Sequence, residues 1–158
     1  MPKNLQIDKL DRQILDIISK NARIPYLEVA RACNVSGAAI HQRVQRLIKS
    51  GVIKGSEFKV DPAAVGFKTC AYIGIFLEHP GHYSDVVKKL KDIPEIIECH
   101  YTTGNYSLFV KVYTHDNEHL RDVLTESIQN IHGITRTETL ISLEESIHRQ
   151  IPLLATDD

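Results

Sequence analysis

The sequence predicts an α+β chain of two modules, three short helices over residues 1–61 and a βαββαβ unit over residues 62–158. Apolar side chains recur at helical spacing up to about Gly51. Beyond the segment DPAAVGF (61–67) they recur at strand spacing, interrupted by two helices. Charge divides at the same place: residues 1–61 hold eleven Lys and Arg against six Asp and Glu, and residues 62–158 hold eight against fourteen, in a chain of formal charge −1. A basic module joined to an acidic one implies different partners, with a polyanion the natural one for the first.

Taken in order, Asp8 can cap a first helix whose apolar stripe is Leu10, Ile14, Leu15, Ile17 and Ile18, and the polar stretch SKNARIP ends it. Pro25 suits the first turn of a short second helix with Leu27, Val29, Ala30 and Cys33 inward and Asn34 as C-cap. Ser36 then caps a third helix that runs to Gly51 and places Ile40, Val44, Leu47 and Ile48 on one side. The connection before it is about three residues, the length of a helix-turn-helix pair. VIKGSEFKV (52–60) reads as extended, and the Pro and Gly of DPAAVGF mark the module boundary.

From Thr69 to about Glu78 the pattern is a strand, followed by a helix in GHYSDVVKKLKDIP with Val86, Val87 and Leu90 inward. Strands IIECHYTT and YSLFVKVYTH come next. A helix from about Asn117 follows, with Leu120, Val123, Leu124, Ile128 and Ile131 inward, and the strand ITRTETLISLEE ends the unit. That order is ferredoxin-like, an antiparallel sheet with both helices on one side. The first strand is apolar on both sides, Ala71, Ile73, Ile75 and Leu77 alternating with Cys70, Tyr72 and Phe76. Because large exposed apolar patches are rare on soluble monomers, the face without helices is expected to be buried against a second subunit.

Hydrophobic residues at 42% and charged residues at 25% place the chain among ordinary folded proteins. Three widely spaced cysteines, Cys33, Cys70 and Cys99, argue against a disulfide framework and for a reducing compartment. No apolar run approaches the ~20 residues of a membrane span, and MPKNLQIDKL lacks a signal-peptide core, so a cytoplasmic protein without membrane association is expected.

The third helix carries the chemistry. No carboxylate occurs between residues 29 and 56. Rotating 100° per residue, the direction opposite the apolar stripe is occupied by Ala38, Gln42, Gln45, Arg46 and Lys49, with Ser36 at its start, His41 and Arg43 on the flanks and Lys54 just beyond. A small residue permits close approach, two amides can bond adenine bidentately, and cations suit guanine edges or phosphates. Arg43, off to the side, is placed for a phosphate. A merely solvated helix face is the plain alternative. What counts against it is the absence of acid, the short turn before a Ser-capped helix, and the charge of the module.

At this point LDRQILDIISKNARIPYLEVARACNVSGAAIHQRVQRLIKSGVIKG resembles the N-terminal domain of the Lrp/AsnC, or feast/famine, transcription regulators. The shared features are the L-D-x-x-I-L start, the S-x-x-x-x-x-R-V-x-R-L recognition helix and the G-V-I-x-G exit. Similarity continues through DPAAVGF and covers about residues 5–152. TTGNYSLFVKV and TRTETLISL look most similar to the asparagine-responsive AsnC branch. The resemblance implies a winged-helix-like DNA-binding domain with a linker strand pairing between subunits, and an ACT-like effector domain. It further implies homodimers assembling to a higher oligomer, an octamer, with an amino-acid effector between dimers.

TTGNY (102–106) lies between two strands, and its Gly-Asn pair favours a two-residue type II′ hairpin turn. A Gly-containing hairpin beside hydroxyls also offers bare backbone groups to the carboxylate and ammonium of a free amino acid. By resemblance, Thr102, Thr103, Gly104, Asn105 and Tyr106 occupy the family's effector loop, written G-D-Y-D, with both aspartates replaced here, by Asn105 and Ser107. Glu138, on the opposite face of the last strand from Thr137 and Thr139, is a candidate ammonium partner.

Eight histidines include the pairs His79/His82 and His115/His119, but no complete ligand spacing accompanies them, so neither a metal nor a cofactor is expected. Cys70 and Cys99 read as small core residues. No G-x-S-x-G, P-loop or dinucleotide fingerprint occurs, and no catalytic residue set presents itself. The function that follows is sequence-specific, effector-responsive DNA binding to duplex DNA. The alternatives are an architectural DNA-binding protein without an effector, and a ferredoxin-like metabolic enzyme or ligand carrier.

Overall fold

Helix α1 (Lys9–Lys20) starts with a reciprocal cap: the Asp11 N–H donates to Asp8 Oδ1 (2.8 Å) and the Asp8 N–H donates to Asp11 Oδ2 (3.1 Å). Helix α2 (Tyr26–Cys33) follows Pro25, and Asn34 ends it in the left-handed conformation at φ +55°. Ser36 Oγ accepts from the Ala39 N–H (3.2 Å) and opens α3 (Gly37–Lys49). The three pack around Ile14, Val29, Ala30, Ile40 and Val44, with Leu10, Ile17, Ile18, Ile24, Cys33, Val35 and Ile53 against them. This is a computed structural model, which describes residues 6–154. Residues 1–5 and 155–158 of the two expected modules lie outside the described residues.

Two expected inward residues of this bundle point outward. Leu27 is exposed, as is Ile48. At 100° per residue Ile48 stands about 80° from Ile40, on the flank, whereas Val44 and Leu47 lie close to Ile40's direction and fill the space. The segment 52–60, expected as extended, forms no strand in the single chain and exposes Phe58 and Val60, while the Arg23 guanidinium lies 4.3 Å from the centroid of the Phe58 ring.

The second half is a four-stranded antiparallel sheet in the order β2-β3-β1-β4, built from β1 (Thr69–Leu77), β2 (Ile96–Tyr101), β3 (Leu108–Thr114) and β4 (Ile134–Ser142). β1 is central, pairing Ile73 with Val110 on one side and with Thr139 on the other. Helices α4 (Tyr83–Leu90) and α5 (Asn117–Asp122) belong to this unit. The core joins Ala71, Ile73 and Ile75 of β1 and Leu108, Val110 and Val112 of β3 to Val86, Leu90, Leu120, Val123 and Ile128. Burying each Val, Leu or Ile side chain of this set stabilises the fold by ~1.5–3 kcal/mol.

After Asp122 the helix continues as a π-helical stretch, Val123–Ile128, with the Gln129 N–H donating to Leu124 O, five residues back (2.8 Å). Thr125 Oγ1 donates to Arg121 O (3.0 Å), a side-chain bond that competes with the α-helical ladder. The other sheet face carries Tyr72 stacked on Phe109 (ring centroids 5.7 Å apart), with half-exposed Leu140 beside them. Cys70 is half-buried there. Cys99 lies in the edge strand β2 and is exposed, so it is not the core residue its strand position suggested.

The described residues divide into two units, one of residues 6–58 joined by residues 147–154, the other Lys59–Ser146. The expected division at residue 61 left the tail with the sheet module. In the structure it groups with the helices, where Arg12 Nη1 donates to Leu153 O (3.4 Å).

Candidate DNA-binding helix and effector loop

The face of α3 opposite Ile40, Val44 and Leu47 is open. Ser36, Ala38, His41, Gln42, Gln45, Arg46 and Lys49 are exposed, as is Lys54 after the helix. The helix contains no acidic residue to repel a phosphate. His41 is flanked by the Tyr26 ring, with centroids 6.0 Å apart. Neither Lys49 nor Lys54 has an ion-pair partner among the described residues.

The two arginines differ from their sequence expectation, which treated both as free cations. Arg43 is half-buried: its Nη1 donates to Asp8 Oδ2 (2.7 Å) and Asp11 Oδ1 (2.8 Å). Arg46 Nη2 donates to Asp11 Oδ2 (2.6 Å) while much of its side chain remains exposed. Asp11 itself has no accessible surface. Hydrogen bonding from Arg43, then from the Asp11 N–H, lowers the Asp8 carboxyl below its ordinary range. Asp8, then Asp11, raises Arg43 in return. Sequence reading missed Asp11. Two signals pointed to it: the Asp-x-x-Asp form of a cap at 8 and 11, and a pair of arginines three residues apart on one helix.

At the other site the turn is wider than the two-residue hairpin expected. The Thr102 N–H donates to Ser107 O (3.1 Å) and Thr102 Oγ1 donates to Tyr106 O (2.7 Å), leaving Thr103, Gly104 and Asn105 exposed at the tip. The reason is Ser107. Its N–H donates to Ile75 O (2.9 Å) and its Oγ accepts from the Leu77 N–H (3.3 Å), which ties the loop base to β1 rather than letting β2 and β3 close tightly. Gly104 has φ +100° and open space around it.

Tyr106 folds back onto the helix-free face. A β-carbon at Gly74 would come within 2.4 Å of its ring, so the ring lies directly on the strand where a side chain is missing. Phe76 meets it edge-on (5.3 Å) and Phe109 stacks on it (5.7 Å). Its hydroxyl donates to Glu138 Oε2 (2.7 Å), and Arg136 donates to Glu138 Oε1. The bond to Glu138, then burial, raises the Tyr106 phenol above its ordinary value. Thus the structure brings together Tyr106 and Glu138, two residues singled out separately in the sequence. Gly74 and Arg136, which seat them, were not singled out.

The His115/His119 pair has other employment: His119 Nε2 sits 3.2 Å from Glu95 Oε1, and His115 Nδ1 sits 3.0 Å from Gly66 O. Among the described residues no group of three or more His, Cys, Asp and Glu is placed to hold a metal, and no helix is long and apolar enough to cross a membrane.

Two family models match the chain: winged helix-turn-helix DNA-binding over residues 7–54, and the Lrp/AsnC ligand binding domain over residues 70–152. The chain belongs to the Lrp/AsnC family of transcriptional regulators. Among Lrp/AsnC proteins it is similar to regulatory protein AsnC of Haemophilus influenzae, 46% identical over 145 residues covering 92% of this chain and 97% of that one. AsnC of Escherichia coli K12 is 40% identical over 149 residues, 94% of this chain and 98% of that one. The solved structure of Escherichia coli AsnC superposes with a TM-score of 0.89 at 40% identity, covering 94% and 99% of the two chains. A feast or famine regulatory protein from M. tuberculosis, solved in complex with L-methionine, gives 0.86 at 27% identity, covering 92% and 99%. The helix-turn-helix match contains every residue from Ser36 to Lys54, and the Lrp/AsnC ligand-binding match contains Thr102–Tyr106 and Glu138.

Proposed function

We propose that this regulator lays α3 in the major groove of duplex DNA, with Gln42, Gln45 and Arg46 toward base edges and Ala38 permitting close approach. Lys49 and Lys54 supply phosphate contacts, with Ser36 and His41 at the margins and Arg43 as a flank contact through its remaining donors. The observation that carries the reading is the open, acid-free face of α3. It acts by binding rather than catalysis, in the cytoplasm, with no membrane partner.

The sheet unit serves assembly and sensing. The helix-free face with Tyr72, Phe109 and Leu140 supports a homodimer, and the exposed 52–60 segment supports a linker strand that pairs only with a second copy. Dimers assemble further, to an octamer. A small amino acid, asparagine first among them, binds at Thr102, Thr103, Gly104, Asn105 and Tyr106 with Glu138 facing its ammonium, and favours one assembly state over another.

A salt titration of duplex binding tests the first half. Affinity falls steeply as salt rises, and Arg46→Ala lowers both affinity and selectivity. Salt-independent or absent binding refutes it and favours the enzyme or carrier. Equal affinity for every sequence favours an architectural protein. A melting screen against the common amino acids tests the second half, since a ligand at ~100 times its Kd adds ~2.7 kcal/mol to the folded state.

A further inference from the structure

Asp11 is fully buried and belongs to α1, outside the DNA-reading face, yet both arginines of α3 end on it: Arg43 at 2.8 Å on one oxygen and Arg46 at 2.6 Å on the other. Asp8 takes a second bond from Arg43 at 2.7 Å. Two guanidinium groups thus meet two carboxylates, and the cluster is close to neutral. Yet Arg46 keeps 44% of its side-chain surface and Arg43 keeps 30%, so each has donors left to offer.

We propose that Asp11 is a positioning residue for DNA recognition, withholding Arg43 and Arg46 from indiscriminate phosphate contact and presenting the free donors of Arg46 in one orientation. A long flexible cation finds any phosphate within reach. A guanidinium clamped by one nitrogen on a buried carboxylate presents a fixed fork, the geometry that base edges require. Non-specific contact then draws on Lys49 and Lys54, which have no ion-pair partner among the described residues. The inference rests on the DNA-binding reading above.

The test separates positioning from a merely structural role. Asp11→Asn is near-isosteric, can still accept the Asp8 N–H, and removes the charge. Asp8→Asn keeps an N-cap of equal quality and removes one of the two carboxylates that hold Arg43, leaving Arg46 on Asp11. Each variant is titrated with salt against a mixed-sequence duplex and against the tightest duplex that the native protein selects from a randomised pool. Each freed cation that reaches a phosphate steepens the log–log slope by ~0.9. Each variant removes one carboxylate from the cluster, so the expected result is a mixed-duplex slope steeper by about one such step for Asp11→Asn and about one for Asp8→Asn. Low-salt binding to mixed sequence tightens, and the ratio of selected to mixed affinity falls. Equal weakening on both duplexes with an unchanged slope overturns the proposal. If Asp11→Asn does not fold by circular dichroism, the Asp8→Asn slope decides, and no rise overturns it. A native protein that binds neither duplex overturns the DNA-binding reading itself, a distinct outcome.

Discussion

Replacing Gly133 by alanine isolates two costs that the structure allows to be estimated separately. Gly133 sits at φ +96° in the turn into β4, where its carbonyl accepts from the Glu78 N–H (2.9 Å). An L-residue held at positive φ costs ~1–2 kcal/mol. The new β-carbon would also stand 2.7 Å from His82 Cγ and 2.8 Å from His82 Cβ. Cβ is fixed to the backbone, so a rotamer change cannot clear it, and overpacking of this kind costs a further ~1–3 kcal/mol. Gly104→Ala serves as the reference because φ is +100° but nothing lies within 4 Å, so it pays the backbone cost alone. Gly81→Ala, with open space and no positive φ, controls for both. At 2–4 °C per kcal/mol for a chain of this size, Gly133→Ala melts ~4–20 °C below the native protein and Gly104→Ala ~2–8 °C below. The assay is thermal unfolding followed by circular dichroism without ligand. Equal shifts for Gly133→Ala and Gly104→Ala would refute the reasoning, because the His82 contact would then cost nothing.

Further outcomes follow from the same geometry. Gly74→Ala displaces the Tyr106 ring from β1 and abolishes any amino-acid-induced rise in melting temperature, while the circular dichroism spectrum stays native; a retained rise would place the ligand elsewhere. Ser36→Ala removes the cap of α3 and destabilises the helical unit by ~1 kcal/mol, read as a lower urea midpoint at unchanged slope. Because its folded value lies below the ordinary ~3.9, Asp8 contributes stability that is complete above that ordinary value. That contribution is lost as pH falls through the depressed one. Asp8→Asn therefore narrows its stability deficit relative to the native protein as acid is added, measurable by denaturant titration at several pH values.

Much of the architecture was legible because strong periodicities met clear punctuation. Asp8, Asn34 and Ser36 mark helix ends by backbone chemistry that is local to a few residues, and the inward set Leu120, Val123, Leu124, Ile128, Ile131 defined the last helix's buried face. What escaped was long-range or subtle. Asp11 and Arg43 are separated by 32 residues, so their pairing follows only once α1 and α3 are packed. The width of the effector turn depends on Ser107 bonding to β1, a strand about thirty residues earlier. Leu27 and Ile48 show the opposite failure, in which an apolar residue was assigned inward although a better-aimed neighbour already filled the core.

The π-helical stretch at Val123–Ile128 bears on where this helix tolerates a change in length. A five-residue backbone bond is what remains when a helix absorbs one additional amino acid without moving either end, since Leu120 before it and Ile131 after it both stay in the core. A one-residue deletion within Val123–Ile128 is therefore expected to restore α-helical bonding at a smaller stability cost than the same deletion in β1 or β3, measured as a smaller drop in melting temperature.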